Sequence, residues 1–513
     1  MLNVGPDTPR EQLVEFALEH GVSTFILASD DPSEISRWGA EVAPALREAV
    51  ARERGGASSS SEVVRGPKVL AARRERVDYD AVPSALRASA VEPGDKAYPR
   101  FRSTYMRTGS PGLILRPAGA EEVAEALAFA RKQDVPLAIR SGGHGISGRS
   151  TNDGGIVIDL GKLNRVEVLD PSTGLFRVGP GARWGDVAQA LHPHGLAMSS
   201  GDYGDVGVGG LATAGGIGFL GRRYGLTLDH ITAAEVVLAD GGIVTAGLDA
   251  DADLLWAVRG AGANMGIATA LELTAYPLRE VVYATMVFDA TDTAGLVTRW
   301  GSLVTSAPRE LTSFLYLFAQ RAGAPVARAI IVYASADTDA AVTALTPFLQ
   351  IAPVLDQQAQ LAPYAAIVAP QDSPHTGGQT NPLISNGFAD TLTTEVGELL
   401  GEGLFSGVAP WVAIRAVGGA VNDVDPSATA FAHRAANFNV SSVGGRKAAF
   451  NAHWDALRPH LDGLYLSFET DSRPERIHDA FPAGTLTRLR GLKRTYDPDN
   501  VFNGNFPIEP MPG

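Results

Sequence analysis

The chain has 513 residues, 45% of them hydrophobic and 19% charged, enough apolar side chains for more than one core, and this length predicts two or three domains. A formal net charge of −14, with no Lys and Arg run interleaved with aromatics, excludes nucleic acid as an expected partner. The complete lack of cysteine excludes disulfides, thiolate nucleophiles and cysteine-bound metal centres, so any redox chemistry has to come from a bound cofactor.

In chain order, residues 8–20 predict a helix, 22–28 a strand and 32–54 a second helix, whose start is marked by Asp30, Asp31 and Pro32. So short a segment closes no core alone, and residues 55–61, rich in Gly and Ser, have linker composition. The N-terminal residues lack the basic-then-apolar order of a secretory signal, and no apolar run reaches the length of a membrane span. The expectation is a soluble cytoplasmic protein with no membrane partner. Residues 62–110 predict only short helices. From 111 to 278 strands and helices alternate with dense glycine clusters, as in an α+β nucleotide-binding domain, and residues 280–455 predict an antiparallel sheet backed by helices. The expected division is therefore 1–61, 62–278 with a cofactor-binding core at about 107–278, 279–455, and a C-terminal segment 456–513.

Three glycine-punctuated segments carry the chemistry. The first, Arg140, Ser141, Gly142, Gly143, His144 and Gly145, follows an apolar strand-like run. Consecutive backbone N–H groups there fit a pyrophosphate nest with added charge from Arg140, or else a plain turn with a solvated His144. The second holds Gly207, Gly209, Gly210, Gly215, Gly216 and Gly218. Gly207, Gly209 and Ala212 formally fit a nicotinamide-binding G-x-G-x-x-G/A pattern, but the preceding residues 197–204 do not read as a buried parallel strand. The third runs from 254 to 266 and includes Gly262, Asn264 and Gly266. Three such turns suit a long cofactor with phosphates and a heteroaromatic ring, each part needing close backbone approach.

These clusters, in this order, resemble the FAD-linked oxidases related to berberine bridge enzyme, in the vanillyl-alcohol oxidase superfamily with its PCMH-type FAD-binding domain. The resemblance spans roughly residues 85–513 and includes a C-terminal signature at 496–502, with Asn505 and Ile508 beyond it. It implies an α+β fold with a two-part FAD-binding domain and a separate substrate domain. It implies FAD held covalently through His144, with the glycines above, Val206, Asn264 and Asn505 around it. Bicovalent members add a cysteine where Tyr203 stands here, so a single bond is expected. Val206 falls where a small residue admits oxygen to the flavin; the bland alternative is an apolar residue between glycines.

The segment 463–468 resembles the family's Y-x-N-[YF] strand, whose tyrosine acts as base toward a substrate hydroxyl. Tyr465 is retained, Ser467 replaces the asparagine, and Tyr203 is the second candidate for a catalytic role. A free tyrosine with pKa near 10 needs a neighbouring cation or the flavin field to ionise. Trp411 and Arg415 are expected to line a substrate pocket, and His433 to be a structural or surface residue. The remaining histidines show no metal-ligand spacing, and Asp249, Asp251 and Asp253 lack the offsets of a calcium loop and read as a solvated turn.

The implied reaction is hydride transfer from an alcohol, sugar or ring carbon to flavin N5, with oxygen as acceptor giving hydrogen peroxide. A flavin dehydrogenase with another acceptor and a non-catalytic FAD-binding module are the alternatives. Residues 1–54 match none of this and look like the tail of a luciferase-like flavin monooxygenase.

Overall fold

The computed structural model describes residues 2–5, 7–18, 24–56, 65–321, 323–369, 380–504 and 506–512. The chain divides into two compact units, Met1–Arg65 and Gly66–Gly513.

In the first unit, strands β1 (Leu2–Val4) and β2 (Phe25–Leu27) pair in parallel. The helix Arg10–Leu18 and the pair Pro32–Arg37 and Ala43–Gly56 enclose a small core of Val4, Leu13, Trp38 and Leu46. Two features depart from the sequence-based reading. β1 was not expected, and the long second helix is interrupted by a π turn at Trp38–Val42. Asp31 caps that helix by accepting the Ser33 N–H at 2.8 Å. Residues 19–23, the end of the expected first helix and the start of the expected strand, lie outside the described residues, as does most of the expected linker.

The second unit holds three substantial sheets. β3 (Leu113–Leu115), β4 (Leu137–Arg140) and β5 (Ile156–Asp159) form a parallel sheet in the order β3-β5-β4. Every residue of β3 and β5 is buried, as befits a parallel sheet covered on both faces, on one by the helix Ala120–Ala130 and on the other by Val91, Tyr98 and Phe101. A second, antiparallel sheet comprises β6 (Val166–Asp170), β7 (Leu175–Val178), β9 (Ile231–Val237), β10 (Ile243–Gly247) and β11 (Ile267–Thr274), in the order β10-β9-β11-β7-β6. β8 (Leu196–Ala197) pairs separately with β12 (Tyr276–Pro277). The segment ahead of the second glycine cluster is thus no buried parallel strand, which removes the context a nicotinamide-binding unit requires.

The third sheet is antiparallel and seven-stranded: β13 (Glu280–Asp289), β14 (Leu311–Phe318), β15 (Val326–Tyr333), β16 (Val354–Pro363), β17 (Leu383–Ala389), β18 (Trp411–Ala416) and β19 (Phe438–Gly444), ordered β16-β13-β15-β14-β18-β19-β17. Helices Thr293–Ser306, Thr394–Phe405 and Lys447–Leu457 cover one face over a core that includes Trp300, Phe288, Phe348 and Trp454. Asp292 and Thr393 cap the first two, accepting N–H groups of Gly295 at 2.9 Å and Val396 at 3.2 Å. The architecture is α+β.

The last helix, Ala483–Tyr496, returns to pack on the helix Ala252–Ala261. Here the aspartates read as a solvated turn do structural work. Asp251 caps the earlier helix through the Leu254 N–H at 2.9 Å and accepts the Tyr496 hydroxyl at 2.8 Å, while Asp253 pairs with Arg488 at 2.7 Å. Among the described residues no helix is long and apolar enough to cross a membrane.

Candidate active site

A cavity of about 410 Å³ opens where the three glycine clusters meet a face of the seven-stranded sheet at its central strands β14 and β18. Ser141 to Gly145 contribute from the end of β4, Tyr203, Val206, Gly207, Gly209 and Gly210 from the second cluster, and Gly262 and Gly266 from the third. Tyr316, Trp411 and Arg415 enter from β14 and β18, and Tyr465 to Phe468, Val501, Phe502 and Gly504 from the C-terminal segment.

Glycine is required where the loops touch. A Cβ on Gly142 would sit 2.4 Å from the Gly207 Cα, so the first two clusters meet backbone to backbone. Ser141 ties them further: its hydroxyl accepts the Gly209 N–H at 3.1 Å and donates to the Pro180 carbonyl.

Five expected cofactor residues stand elsewhere. Arg140 is turned away from the cavity into the sheet, where Nε donates to Asp159 at 2.6 Å and Nη1 to the Phe101 carbonyl at 2.7 Å. A buried carboxylate claims the guanidinium more strongly than an open nest does. Gly215, Gly216 and Gly218 also stand behind the lining: added Cβ atoms would meet the Tyr465 ring at 2.8 Å, Thr227 Oγ1 at 2.1 Å and Gly201 N at 2.5 Å. These glycines admit protein, not cofactor. Asn264 is buried beneath the third cluster, its amide donating to Ala261 O at 2.7 Å and its backbone carbonyl accepting Lys493 Nζ at 2.8 Å. Asn505 lies outside the described residues.

The His144 ring stacks on Tyr105 with centroids 4.3 Å apart and an interplanar angle of 16°, and Tyr203 lies on it at 5.3 Å and 45°. Tyr105 carried no signal in the sequence, nor did Arg149 or Tyr316, whereas Phe468 fills the last position of the Y-x-N-[YF] pattern; all of them, with Asp202, line the cavity. Asp202 was legible only as the neighbour of Tyr203.

Asp202 organises the polar end. Its Oδ2 accepts the Tyr316 hydroxyl at 2.7 Å and Arg415 Nε at 3.0 Å, and the Arg415 guanidinium lies 4.4 Å from the Phe468 ring. Burial alone would raise the Asp202 pKa, but Arg415 and Tyr316 together hold it below the ordinary carboxylate value. Tyr465 is buried, which raises its hydroxyl pKa; the Gly216 N–H at 3.1 Å, the Ser467 hydroxyl and the charge of Arg415 each pull it back. Its backbone is not part of a strand. Asn386 accepts the Tyr465 N–H at 2.7 Å and donates to its carbonyl at 3.1 Å, and Leu466–Phe468 form a 3-10 turn that the left-handed Gly463, φ +54°, introduces. His433 is structural, bonding the Ala480 carbonyl at 3.0 Å and stacking on Phe388.

The lining suits an anionic, flat cofactor. Arg149 Nη1 and Ser150 Oγ are buried in the cavity wall with no protein partner, and the Arg149 guanidinium stacks 3.6 Å over Phe506. Burial lowers the Arg149 pKa to about 10, which leaves it cationic at neutral pH. A positive group with open donors, beside glycine loops and aromatic walls, matches the phosphates and ring system of FAD. Among the described residues no cluster of three or more His, Cys, Asp or Glu is arranged to hold a metal.

Comparison with known proteins agrees. Residues 111–247 match the family of FAD binding domains. The (R)-6-hydroxynicotine oxidase of Paenarthrobacter nicotinovorans is 26% identical over 455 residues, covering 84% of this chain and 98% of the relative. Among solved structures, the xylooligosaccharide oxidase of Myceliophthora thermophila in complex with xylobiose superposes with a TM-score of 0.74 at 25% identity, over 84% of this chain and 100% of that one. The glucooligosaccharide oxidase of Acremonium strictum, which carries a 6-S-cysteinyl, 8α-N1-histidyl FAD, shares the fold with a TM-score of 0.74 at 22% identity, over 84% of this chain and 100% of its own.

Proposed function

Because the chain is an FAD-linked oxidoreductase with the PCMH-type fold of the berberine bridge-like oxidases, we propose that it holds FAD by one covalent bond at His144 and oxidises a small organic alcohol, sugar or ring carbon with oxygen as acceptor. In this reading residues 62–278 and 456–513 serve the cofactor and 279–455 the substrate. FAD held by Ser141–Gly145, the second and third glycine clusters and Arg149 would supply a hydride acceptor and a route for two electrons to oxygen.

The observation that carries the proposal is the convergence of His144, Tyr465 and the Asp202–Arg415 pair on one cavity. Tyr465 takes the proton from the substrate hydroxyl or amine. Its burial makes the phenolate strongly basic, while the Ser467 and Gly216 hydrogen bonds and the Arg415 charge stabilise that phenolate. Ser467 thus supplies a hydrogen bond to the tyrosine despite replacing the family's asparagine. The Asp202–Arg415 pair is neutral overall and anchors the aromatic walls of Tyr316 and Phe468, which bind and orient a substrate ring. Val206 lines the same cavity and keeps a small side chain on the path of oxygen.

Two measurements test the reading. Acid-precipitated protein stays yellow, and His144→Ala releases the colour to the supernatant; free FAD from wild type overturns the covalent bond. A screen of alcohols, sugars and aromatic alcohols under nitrogen bleaches the flavin band with the true substrate, and air restores it with release of peroxide. Bleaching without recovery in air overturns the oxidase assignment, and no bleaching with any candidate favours a binding module.

A further inference from the structure

The His144 ring packs against two tyrosine side chains, each held by its own set of protein contacts. Tyr105 stacks nearly parallel at 4.3 Å and 16°, and Tyr203 packs at 5.3 Å and 45°. Such contacts restrict rotation of an imidazole about its own axis while leaving its nitrogens at the ring edge, where bonds form.

Each jaw has its own anchorage. Tyr105 sits in a tight turn closed by Thr104 N–H to Arg107 O at 2.9 Å and Arg107 N–H to Thr104 O at 3.1 Å. Within that turn Met106 takes φ +58°, a conformation a non-glycine residue seldom adopts. The turn is bolted to the His144 loop on both sides of the histidine. Tyr105 N–H donates to Gly143 O at 2.8 Å, and Arg107 Nε donates to Ile146 O at 2.6 Å. The other jaw is tied to the seven-stranded sheet, since the residue before Tyr203 is Asp202, which Tyr316 and Arg415 hold. Protein contacts alone hold both jaws in place.

We infer that Tyr105 and Tyr203 are positioning residues, an aromatic clamp that sets the plane of the His144 imidazole and thereby governs the rate at which FAD is fixed to the chain. This deepens the proposed function and rests on His144 being the attachment point. Fixation replaces one C–H of the cofactor's 8α-methyl group by a C–N bond to the imidazole. It releases two protons, one from carbon and one from nitrogen, and leaves two electrons on the ring system, which oxygen takes up with two protons as hydrogen peroxide. An imidazole free to rotate spends little time with its nitrogen aimed at that carbon, and misalignment of a reacting pair is costly in rate.

The test uses full-length protein produced under riboflavin limitation, mixed with FAD in air, with acid-stable flavin fluorescence followed in time. Tyr105→Leu and Tyr203→Leu slow fixation by about tenfold or more, whereas Tyr105→Phe and Tyr203→Phe, which keep the rings, stay within about twofold of wild type. Each variant's reversible FAD binding is read separately from its flavin spectrum before acid treatment. Tyr105→Met replaces the leucine variant if that one is insoluble, since it keeps volume without a ring. Leucine or methionine variants that bind FAD and fix it as fast as wild type overturn the clamp alone. Phenylalanine variants as slow as the leucine variants also overturn it, because the hydroxyls and not the rings would then matter. If wild type fixes no flavin, the attachment at His144 fails first, and the clamp falls with it.

Discussion

Arg415 reaches Oδ2 of Asp202 with both Nε and Nη2, each at 3.0 Å, joining β18 to the second glycine cluster across 213 residues of chain. Replacing Arg415 by Met keeps most of the stem and removes the charge, leaving a largely buried carboxylate with Tyr316 as its side-chain donor among the described residues. We expect a loss of about 3 kcal/mol in denaturant unfolding at neutral pH. The sign with pH follows from the depressed folded pKa of Asp202. Its contribution is complete above the unfolded carboxylate value near 4 and is lost as pH falls through the lower folded value. Wild-type and variant stabilities should therefore converge on acidification; a gap that persists unchanged in acid would show that packing of the guanidinium, not its charge, accounts for the loss.

Tyr465→Phe changes one oxygen and should slow flavin reduction by about 10²- to 10⁴-fold in stopped flow, with the flavin spectrum kept and the oxygen half-reaction little altered. Since burial raises the hydroxyl pKa, the wild-type reduction rate should climb as pH rises and the phenolate becomes populated. Ser467→Ala removes a hydrogen bond that lowers that pKa, and should displace the pH profile to the alkaline side. Equal reduction rates in wild type and Tyr465→Phe would send the search for the base to Tyr203.

Gly142→Ala puts a methyl group into the Gly207 backbone, which no rotamer change relieves. Overpacking of this kind costs about 1–3 kcal/mol, and here it pushes apart two loops that shape the cavity. The expected result is folded protein with sharply reduced flavin content, measured as the ratio of flavin to protein absorbance. The control is Gly491→Ala on the last helix, outside the cavity lining, where a Cβ meets nothing within 4 Å.

Lys493 and Asp497 are both fully buried and pair at 2.6 Å. The ammonium also donates to Asn264 O and Phe502 O, each at 2.8 Å, while Asp497 accepts the N–H groups of Val501 at 2.8 Å and Phe502 at 2.9 Å. Lys493→Met strands the carboxylate and should cost about 3–5 kcal/mol. Because Val501, Phe502 and Gly504 line the cavity, flavin retention should fall along with the melting temperature; a drop in stability with full flavin content would separate the two.

A chain beginning at Gly66, the first residue of the larger compact unit, should purify yellow with an unchanged flavin spectrum. Colourless or insoluble protein would show that the first unit contributes to the cofactor site.

How much of this was legible follows from the range of the interactions. The helix start at Asp31 was legible because its signal is local, and local signals mark helix ends well. The seven-stranded sheet announced itself through strand-like runs such as 311–319. His144, Tyr465, Trp411 and Arg415 were all named from pattern or resemblance, and all line one cavity. Arg140 was misread because its partner, Asp159, sits on a neighbouring strand that motif spacing does not reveal. Gly215, Gly216 and Gly218 count toward a glycine motif, yet the atoms they make room for belong to Tyr465, Thr227 and Gly201. Tyr105 stood in a stretch of mixed composition, and only the left-handed turn at Met106 brings it to the histidine.

The buried Lys493–Asp497 anchor has a consequence for biosynthesis. One wall of the cavity is built from residues 141–150 and another from residues 501–504, so the site joins segments separated by most of the polypeptide. During translation, which proceeds at about 5–20 residues per second, the early glycine loops emerge long before the residues that close over them. The cavity is therefore complete only once the C-terminal segment has been made. A polypeptide ending before residue 501 has the His144 loop but lacks Val501, Phe502 and Gly504, and with them that wall of the cavity.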